Sequence, residues 1–194
     1  LMMAALPSKS LESLYDSPLK PWHSQDLSPL FRACFPEHHT ELIGGAAEPL
    51  YTPWEHNQPA KIYYTQDYYR SALHEIAHWC IAGAERRKQE DYGYWYAPEG
   101  RSAEQQLQFE SVEVRPQALE LLFCAAVAHD FYVSCDNCEA EGDEQAFQAN
   151  VWAEAQRMLK GAIPPRGLQW MRALQHAYGV RQVDKAQLQK VWRH

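Results

Sequence analysis

Two histidines and a glutamate stand together in the run His74-Glu75-Ile76-Ala77-His78. Residues four apart lie on one face of an α-helix, so the two imidazole rings can converge on one ion. Neutral imidazole is a common ligand of zinc and iron. In zinc peptidases the glutamate of such an HExxH helix is the general base that acts on a metal-bound water. The spacing therefore predicts a metal site with Glu75 as its catalytic carboxylate.

A catalytic metal held by two histidines needs a third protein ligand. Glu110 and Glu113 offer it, because they are three residues apart and share one face of a downstream predicted helix. An apolar run follows and must pack in the core, which brings these carboxylates towards the histidines. We expect Glu113, which is nearer to that run, to be the ligand, and Glu110 to be a neighbouring or alternate one. Two histidines and one carboxylate fit both a zinc hydrolase and a non-haem Fe(II) oxygenase.

Apolar residues at helical spacing place the histidine motif on a helix predicted over residues 67–90. The stretch 48–59 is predicted to be a loop. Pro116 is predicted either to kink the helix that carries Glu113 or to begin a new one. The expected fold class is mainly α with a few short strands (α+β), in one compact domain, and a zincin-like HExxH helix is compatible with it. The other predicted elements are a short helix from residue 30 to about 36, a strand at 61–65, a strand or extended segment at 92–96, and helices at 103–114, 117–128, 144–160, 167–177 and 185–193.

Length and composition are those of one folded domain, with 194 residues, of which 46% are hydrophobic and 22% charged. Residues 1–29 are rich in Ser and Pro and are expected to be a flexible N-terminal arm, with 30–194 as the metal-dependent domain. The formal net charge of −7 argues against a nucleic-acid or anionic-membrane partner. No apolar run reaches the ~20 residues of a membrane span, and the N-terminus is a poor signal peptide, so we expect a cytoplasmic protein.

Five cysteines are present, and the odd number without a secretion signal argues against a disulfide framework. Cys135 and Cys138 form a CxxC pair, but a structural zinc site needs a second ligand pair, which the sequence lacks. We therefore expect reduced thiols, and the sequence assigns no role to this pair.

Several blocks follow one another in a fixed order: HEIAHWCIAG (74–83), YGYWY (92–96), PEGR (98–101), QFESVEV with PQAL (108–119) and VSCDN (133–137). Together they resemble the bacterial elongation factor P hydroxylases over residues 30–178. The resemblance implies hydroxylation of the elongation factor P lysine that already carries a β-lysyl group, with protein-bound iron and O2. It implies Fe(II) ligation by His74, His78 and Glu113, with zinc as the alternative metal. It leaves Glu75 as a proton-handling group, a neighbour of the site or a further ligand.

The implied substrate side chain is long and doubly aminated. Carboxylates and aromatic ring faces bind such groups through ion pairs and cation–π contacts. The candidate substrate-binding residues are Tyr94, Trp95, Tyr96 and Asp136.

Two other functions remain open on the sequence. An HExxH zinc metallopeptidase would contain zinc and would need Glu75 for peptide cleavage. A non-catalytic helical adaptor for the same factor would bury the two histidines without a metal.

Overall fold

The computed structural model describes residues 21–91, 102–135 and 141–194, without the side chains at 103, 106, 107, 109, 110 and 141. Short 3₁₀ turns lie at Ser24–Asp26, Pro36–His38 and Arg86–Lys88, and a π-helical turn at Met158–Ala162. Three strands and six helices are present in this part of the chain, so the predicted class, mainly α with a small sheet, is confirmed. They are α1 (Leu27–Cys34), β1 (Thr40–Ala46), β2 (Leu50–Thr52), β3 (Ala60–Thr65), α2 (Tyr69–Ile81), α3 (Ala103–Val127), α4 (Glu141–Arg157), α5 (Pro165–Tyr178) and α6 (Lys185–Val191).

The sheet has the order β1-β3-β2, with β3 parallel to β1 and antiparallel to β2. Along β3 the side chains alternate, and Ala60, Ile62 and Tyr64 point into the core. This strand was predicted, whereas the loop prediction for 48–59 is wrong at β2. Three residues are too few for an alternating pattern to be read, so β2 depends on its pairing with β3.

Helix α2 carries the histidine motif and ends at Ile81, well before the predicted end at residue 90. The backbone leaves the helical region at Ala82, just before Gly83. Side chains from outside the helix complete its last turn, because Arg87 and Arg166 both donate to the Ala82 carbonyl. The helix therefore stops where guanidinium groups satisfy its terminal carbonyls.

Helix α3 is the centre of the fold and contacts α2, α4, α5 and α6. Ser102 begins it with a capping box, in which the Ser102 hydroxyl accepts from Gln105 N and the Gln105 side chain accepts from Ser102 N. Pro116 lies inside the helix, and no new helix begins there. The segment from Ala118 to Val127 is almost completely buried, as its apolar sequence predicts.

An aromatic cluster fixes the rotation of α2 about its own axis. The Trp79 ring packs against both Phe31 and Phe35, at 5.1 and 4.9 Å between ring centroids, and Trp170 of α5 packs on Phe31 at 5.6 Å. Because Trp79 anchors one face of α2 in the core, the histidines on another face are turned towards α3.

Packed structure begins before residue 30 in the described chain. Leu27 is fully buried, and the Trp22 indole donates to the Val127 carbonyl at 2.8 Å. Within the described ranges, no helix is both long and apolar enough to cross a membrane.

Candidate metal centre

The two histidines of α2 and Glu113 of α3 meet at one point. Nε2 of His74 and Nε2 of His78 are 3.0 Å apart. The Glu113 carboxylate lies 3.3 Å from Nε2 of His74 and 3.0 Å from Nε2 of His78. Glu113 is only 6% exposed, so these groups face one another in a largely enclosed space. The three residues were predicted as ligands from sequence, and the structure brings them together as a group that could hold a metal ion.

The spacing of these donor atoms suits a single first-row metal ion. For ligand bonds of about 2.1 Å, donors at right angles are about 3.0 Å apart and tetrahedral donors about 3.4 Å. The observed separations of 3.0 to 3.3 Å fall between these limits. Two imidazoles and one carboxylate on one side of an ion leave the other side open for substrate or oxygen.

A second carboxylate, that of Glu120, contacts His74 at Nδ1, the ring nitrogen that does not face Glu113. Its Oε1 lies 2.8 Å from Nδ1 of His74, and its Oε2 accepts from Nε and Nη2 of Arg70 at 3.0 and 2.7 Å. Arg70 also donates to the Tyr132 carbonyl and packs over the Phe131 ring. With Nδ1 protonated towards Glu120, Nε2 of His74 presents its lone pair to the metal point.

Sequence reasoning missed both Arg70 and Glu120, although a signal was present. Arg70 lies four residues before His74, and Glu120 lies seven after Glu113, so both continue the faces that carry the ligands. A lone glutamate within a fully buried apolar run is costly unless it is paired, and it therefore indicates a specific partner.

Gln117 lies between the two glutamates on the same face of α3 and is buried. Its amide donates to the Ser134 carbonyl at 2.7 Å, and its oxygen accepts from Ser134 N at 3.0 Å. This two-point contact fixes the segment that follows α3 against the site.

Electrostatic coupling dominates the ligand group. Burial alone would raise the pKa of Glu113, but the charges and hydrogen bonds of His78 and His74 hold it well below its usual value. Burial would lower the pKa of His74, yet Glu113 and Glu120 raise it well above its usual value. His78 is affected in the same way by Glu113, and its pKa is also raised. The site is thus arranged to hold positive charge, as a cation site requires.

Glu75 does not join the ligand group and lies beside it, where it borders two cavities. Burial raises the pKa of its carboxyl, although the nearby His78 and His74 act in the opposite direction. In the described chain, the Glu75 carboxylate makes no hydrogen bond. It is therefore available to a substrate group or a proton next to the metal point.

Two cavities meet at the candidate centre and share Glu75, His78 and Glu113. The first, here called the apolar cavity, measures about 390 Å³ and is bordered mainly by Tyr51, Ile62, Trp79, Ile81, Val112 and Pro116, with Arg86, Arg87 and Asp91. The second, here called the polar cavity, measures about 360 Å³ and is bordered by Pro49, Thr65, Tyr68, Arg70, Ser71, His74, Gln117, Glu120 and Ser134.

Several predicted site residues lie outside the described residues. They are Tyr94, Trp95, Tyr96, Asp136 and the side chain of Glu110. Cys135 is disulfide-bonded, which corrects the expectation of a reduced thiol at that position.

Comparison with known proteins identifies a family and a relative of this chain. The family model described as elongation factor P hydroxylase matches residues 30–188. A protein of Haemophilus influenzae named elongation factor P lysine hydroxylase is 43% identical over 153 residues, which cover 77% of this chain and 86% of that protein.

Proposed function

Since the chain belongs to the elongation factor P hydroxylase family, we propose that it hydroxylates the β-lysyl-modified lysine of translation elongation factor P, with iron held by His74, His78 and Glu113 and with O2 as oxidant. The observation that carries this proposal is the meeting of the three ligands at one point that borders two cavities. We assign this activity to one domain over residues 30–194.

Iron is favoured over zinc by the reaction itself. Zinc has no redox chemistry, so it suits hydrolysis and does not activate O2. Bound iron would supply activation of O2, with one oxygen atom ending in the C–OH group and the other in water, and with two electrons and two protons from an external reductant.

The residues around the centre have separable tasks. Glu120 and Arg70 orient His74 and hold its Nδ1 proton. Glu75 borders both cavities beside His78, which supports a role for its carboxylate in accepting or donating a proton next to the reacting carbon. The apolar walls of the larger cavity exclude water from one side of the centre. The reaction also requires that the lysine carbon is held close to the metal, and rigid cavity walls increase the rate by holding it there.

The segment that follows Asp91 is proposed to complete the substrate site. Its aromatic residues Tyr94, Trp95 and Tyr96 offer ring faces for ammonium groups, and Asp136 offers a carboxylate. Glu110 is proposed as a neighbour of the ligand group one helical turn before Glu113.

Mass spectrometry of elongation factor P tests the proposed function. The β-lysylated factor, incubated with iron-loaded protein, O2 and a reductant, should gain one oxygen atom on the modified lysine. The His78→Ala variant and the zinc-loaded protein serve as controls and should give no gain. Absence of oxygen incorporation together with peptide cleavage by the zinc-loaded protein would instead support the metallopeptidase.

A further inference from the structure

The apolar and polar cavities differ in their lining residues, but both are bordered by Glu75, His78 and Glu113 at the candidate centre. Resting on the proposed function, we propose that they divide the substrate between them. The apolar cavity takes the aliphatic stem of the protein-bound lysine, and the polar cavity binds the diamine of the β-lysyl group.

The position of the reacting carbon requires two compartments. In a β-lysylated lysine, the lysine methylenes lie between the backbone of the factor and the added group. A carbon of that lysine held at the metal point must therefore have chain on both sides of it. Two cavities that share Glu75, His78 and Glu113 provide such a path past the centre.

The lining of the apolar cavity fits an uncharged stem. Its walls are formed by aliphatic and aromatic side chains, which favour methylene groups. Arg86, Arg87 and Asp91 also border this cavity, and Arg86 pairs with Asp91 at 2.9 Å. Arg87 points to the Ala82 carbonyl, which does not neutralise its charge. Arg87 thus adds a positive charge to the apolar cavity, which makes this cavity less favourable for two ammonium groups than the polar cavity, where Arg70 is paired with Glu120.

The lining of the polar cavity fits a dication. The polar cavity is bordered by three carboxylates, those of Glu75, Glu113 and Glu120, and by one guanidinium group, that of Arg70. Glu120 is engaged by Arg70 and His74, and Glu113 by the two histidines, which leaves the Glu75 carboxylate to accept an ammonium group. Hydroxyl groups of Thr65, Ser71 and Tyr68, in the same cavity, can accept further N–H bonds.

A charge added at the polar cavity tests this division. Tyr68 is 58% exposed and borders that cavity, so Tyr68→Lys introduces a cation there with little cost to folding. Trp54 is similarly exposed, at 52%, and borders neither cavity, so Trp54→Lys is the matched control. Val112→Trp fills the mouth of the apolar cavity from an exposed position.

Dissociation constants are measured by calorimetry for elongation factor P with and without its β-lysyl group, using the iron-loaded protein under argon so that no turnover occurs. Tyr68→Lys should weaken binding of the β-lysylated factor about tenfold and that of the unmodified factor clearly less, because the former brings two ammonium groups into the polar cavity and the latter brings only the ε-ammonium group of the lysine itself. Trp54→Lys should change neither constant. Val112→Trp should weaken both forms to a similar degree, because both contain the lysine stem.

Two kinds of failure are distinguishable. If Tyr68→Lys leaves the preference for the β-lysylated factor unchanged, or if Val112→Trp weakens only the β-lysylated form, the division of the cavities is wrong while the proposed function stands. If the unaltered protein binds neither form and adds no oxygen, the proposed function itself fails.

Discussion

Nδ1 of His74 lies 2.8 Å from Oε1 of Glu120, a carboxylate only 4% exposed on the helix that also carries Glu113. The two glutamates thus contact the two ring nitrogens of one imidazole, Glu113 at Nε2 and Glu120 at Nδ1. Arg70 fixes the other oxygen of Glu120, so the ring orientation of His74 is set before a metal binds. Such outer contacts tune metal affinity as well as geometry.

Glu120→Gln should therefore weaken metal binding without removing a ligand. The amide keeps the shape of the carboxylate but loses the charge that supports the His74 ring, so we expect a loss of affinity of about 10- to 100-fold. Competition with a chromophoric chelator measures the dissociation constant for Fe(II) and, as a redox-inert probe, Zn(II).

Glu154→Gln is the matched control for this substitution. Glu154 of α4 pairs with Arg157 and, at 3.7 Å, with Arg115 of α3, but it borders neither cavity, so its loss should leave metal affinity unchanged. Equal affinities in Glu120→Gln and the unaltered protein would show that Glu120 does not support the metal ligand.

Metal addition should stabilise the folded protein against heat. An ion that binds only the folded state adds about 2.7 kcal/mol to the free energy of unfolding at a concentration of 100 Kd. Differential scanning fluorimetry should show a melting temperature that rises with metal concentration and falls again with a chelator. His78→Ala, which lacks one ligand, should melt at a temperature that metal hardly changes. A metal-independent melting temperature in the unaltered protein would favour the non-catalytic adaptor.

The grouping of His74, His78 and Glu113 could be predicted from sequence because it depends on local periodicity. His74 and His78 share a helix face however the helix is packed in the fold, and the apolar run after Glu113 indicates that this carboxylate lies near the core. The partner of His74 could not be chosen in this way, because Glu120 contacts it only through the packing of α2 on α3.

The boundaries of helices and strands likewise depend partly on the local sequence and partly on contacts with distant residues. The strand at β3 and the helices from α3 to α6 follow from their own patterns. The end of α2 at Ile81 depends on Arg166, which lies 84 residues from the Ala82 carbonyl that it contacts. Strand β2 depends on β3 as a partner, and the order β1-β3-β2 is set by packing against helices rather than by any single segment.

The described free thiols should be almost inert in the native protein. Burial, with a smaller effect of Glu37, raises the pKa of Cys34 to about 12, and burial also raises the pKa values of Cys80 and Cys124. An ordinary thiol has a pKa of about 8.5, so at pH 8 to 9 a substantial fraction of the cysteines in the unfolded chain is thiolate, whereas the buried cysteines of the folded protein stay protonated. Iodoacetamide labelling, quantified for each cysteine by mass spectrometry, should therefore accelerate strongly in urea. Native labelling as fast as denatured labelling would contradict their burial.

Arg166→Met should destabilise the fold by loosening the end of the histidine helix. The Arg166 guanidinium donates to the Cys80 and Ala82 carbonyls and stacks 4.4 Å from the Trp79 ring centroid. Methionine keeps an apolar stem but removes the donor to the Cys80 carbonyl and one of the two donors to the Ala82 carbonyl, where Arg87 remains, so we expect the free energy of unfolding to fall by about 1–3 kcal/mol. Urea denaturation followed by circular dichroism measures this loss. Arg172 lies exposed on the same helix, so Arg172→Met should have little effect on the free energy of unfolding. Equal losses in the two variants would show that the contacts of Arg166 with the carbonyls are not the cause.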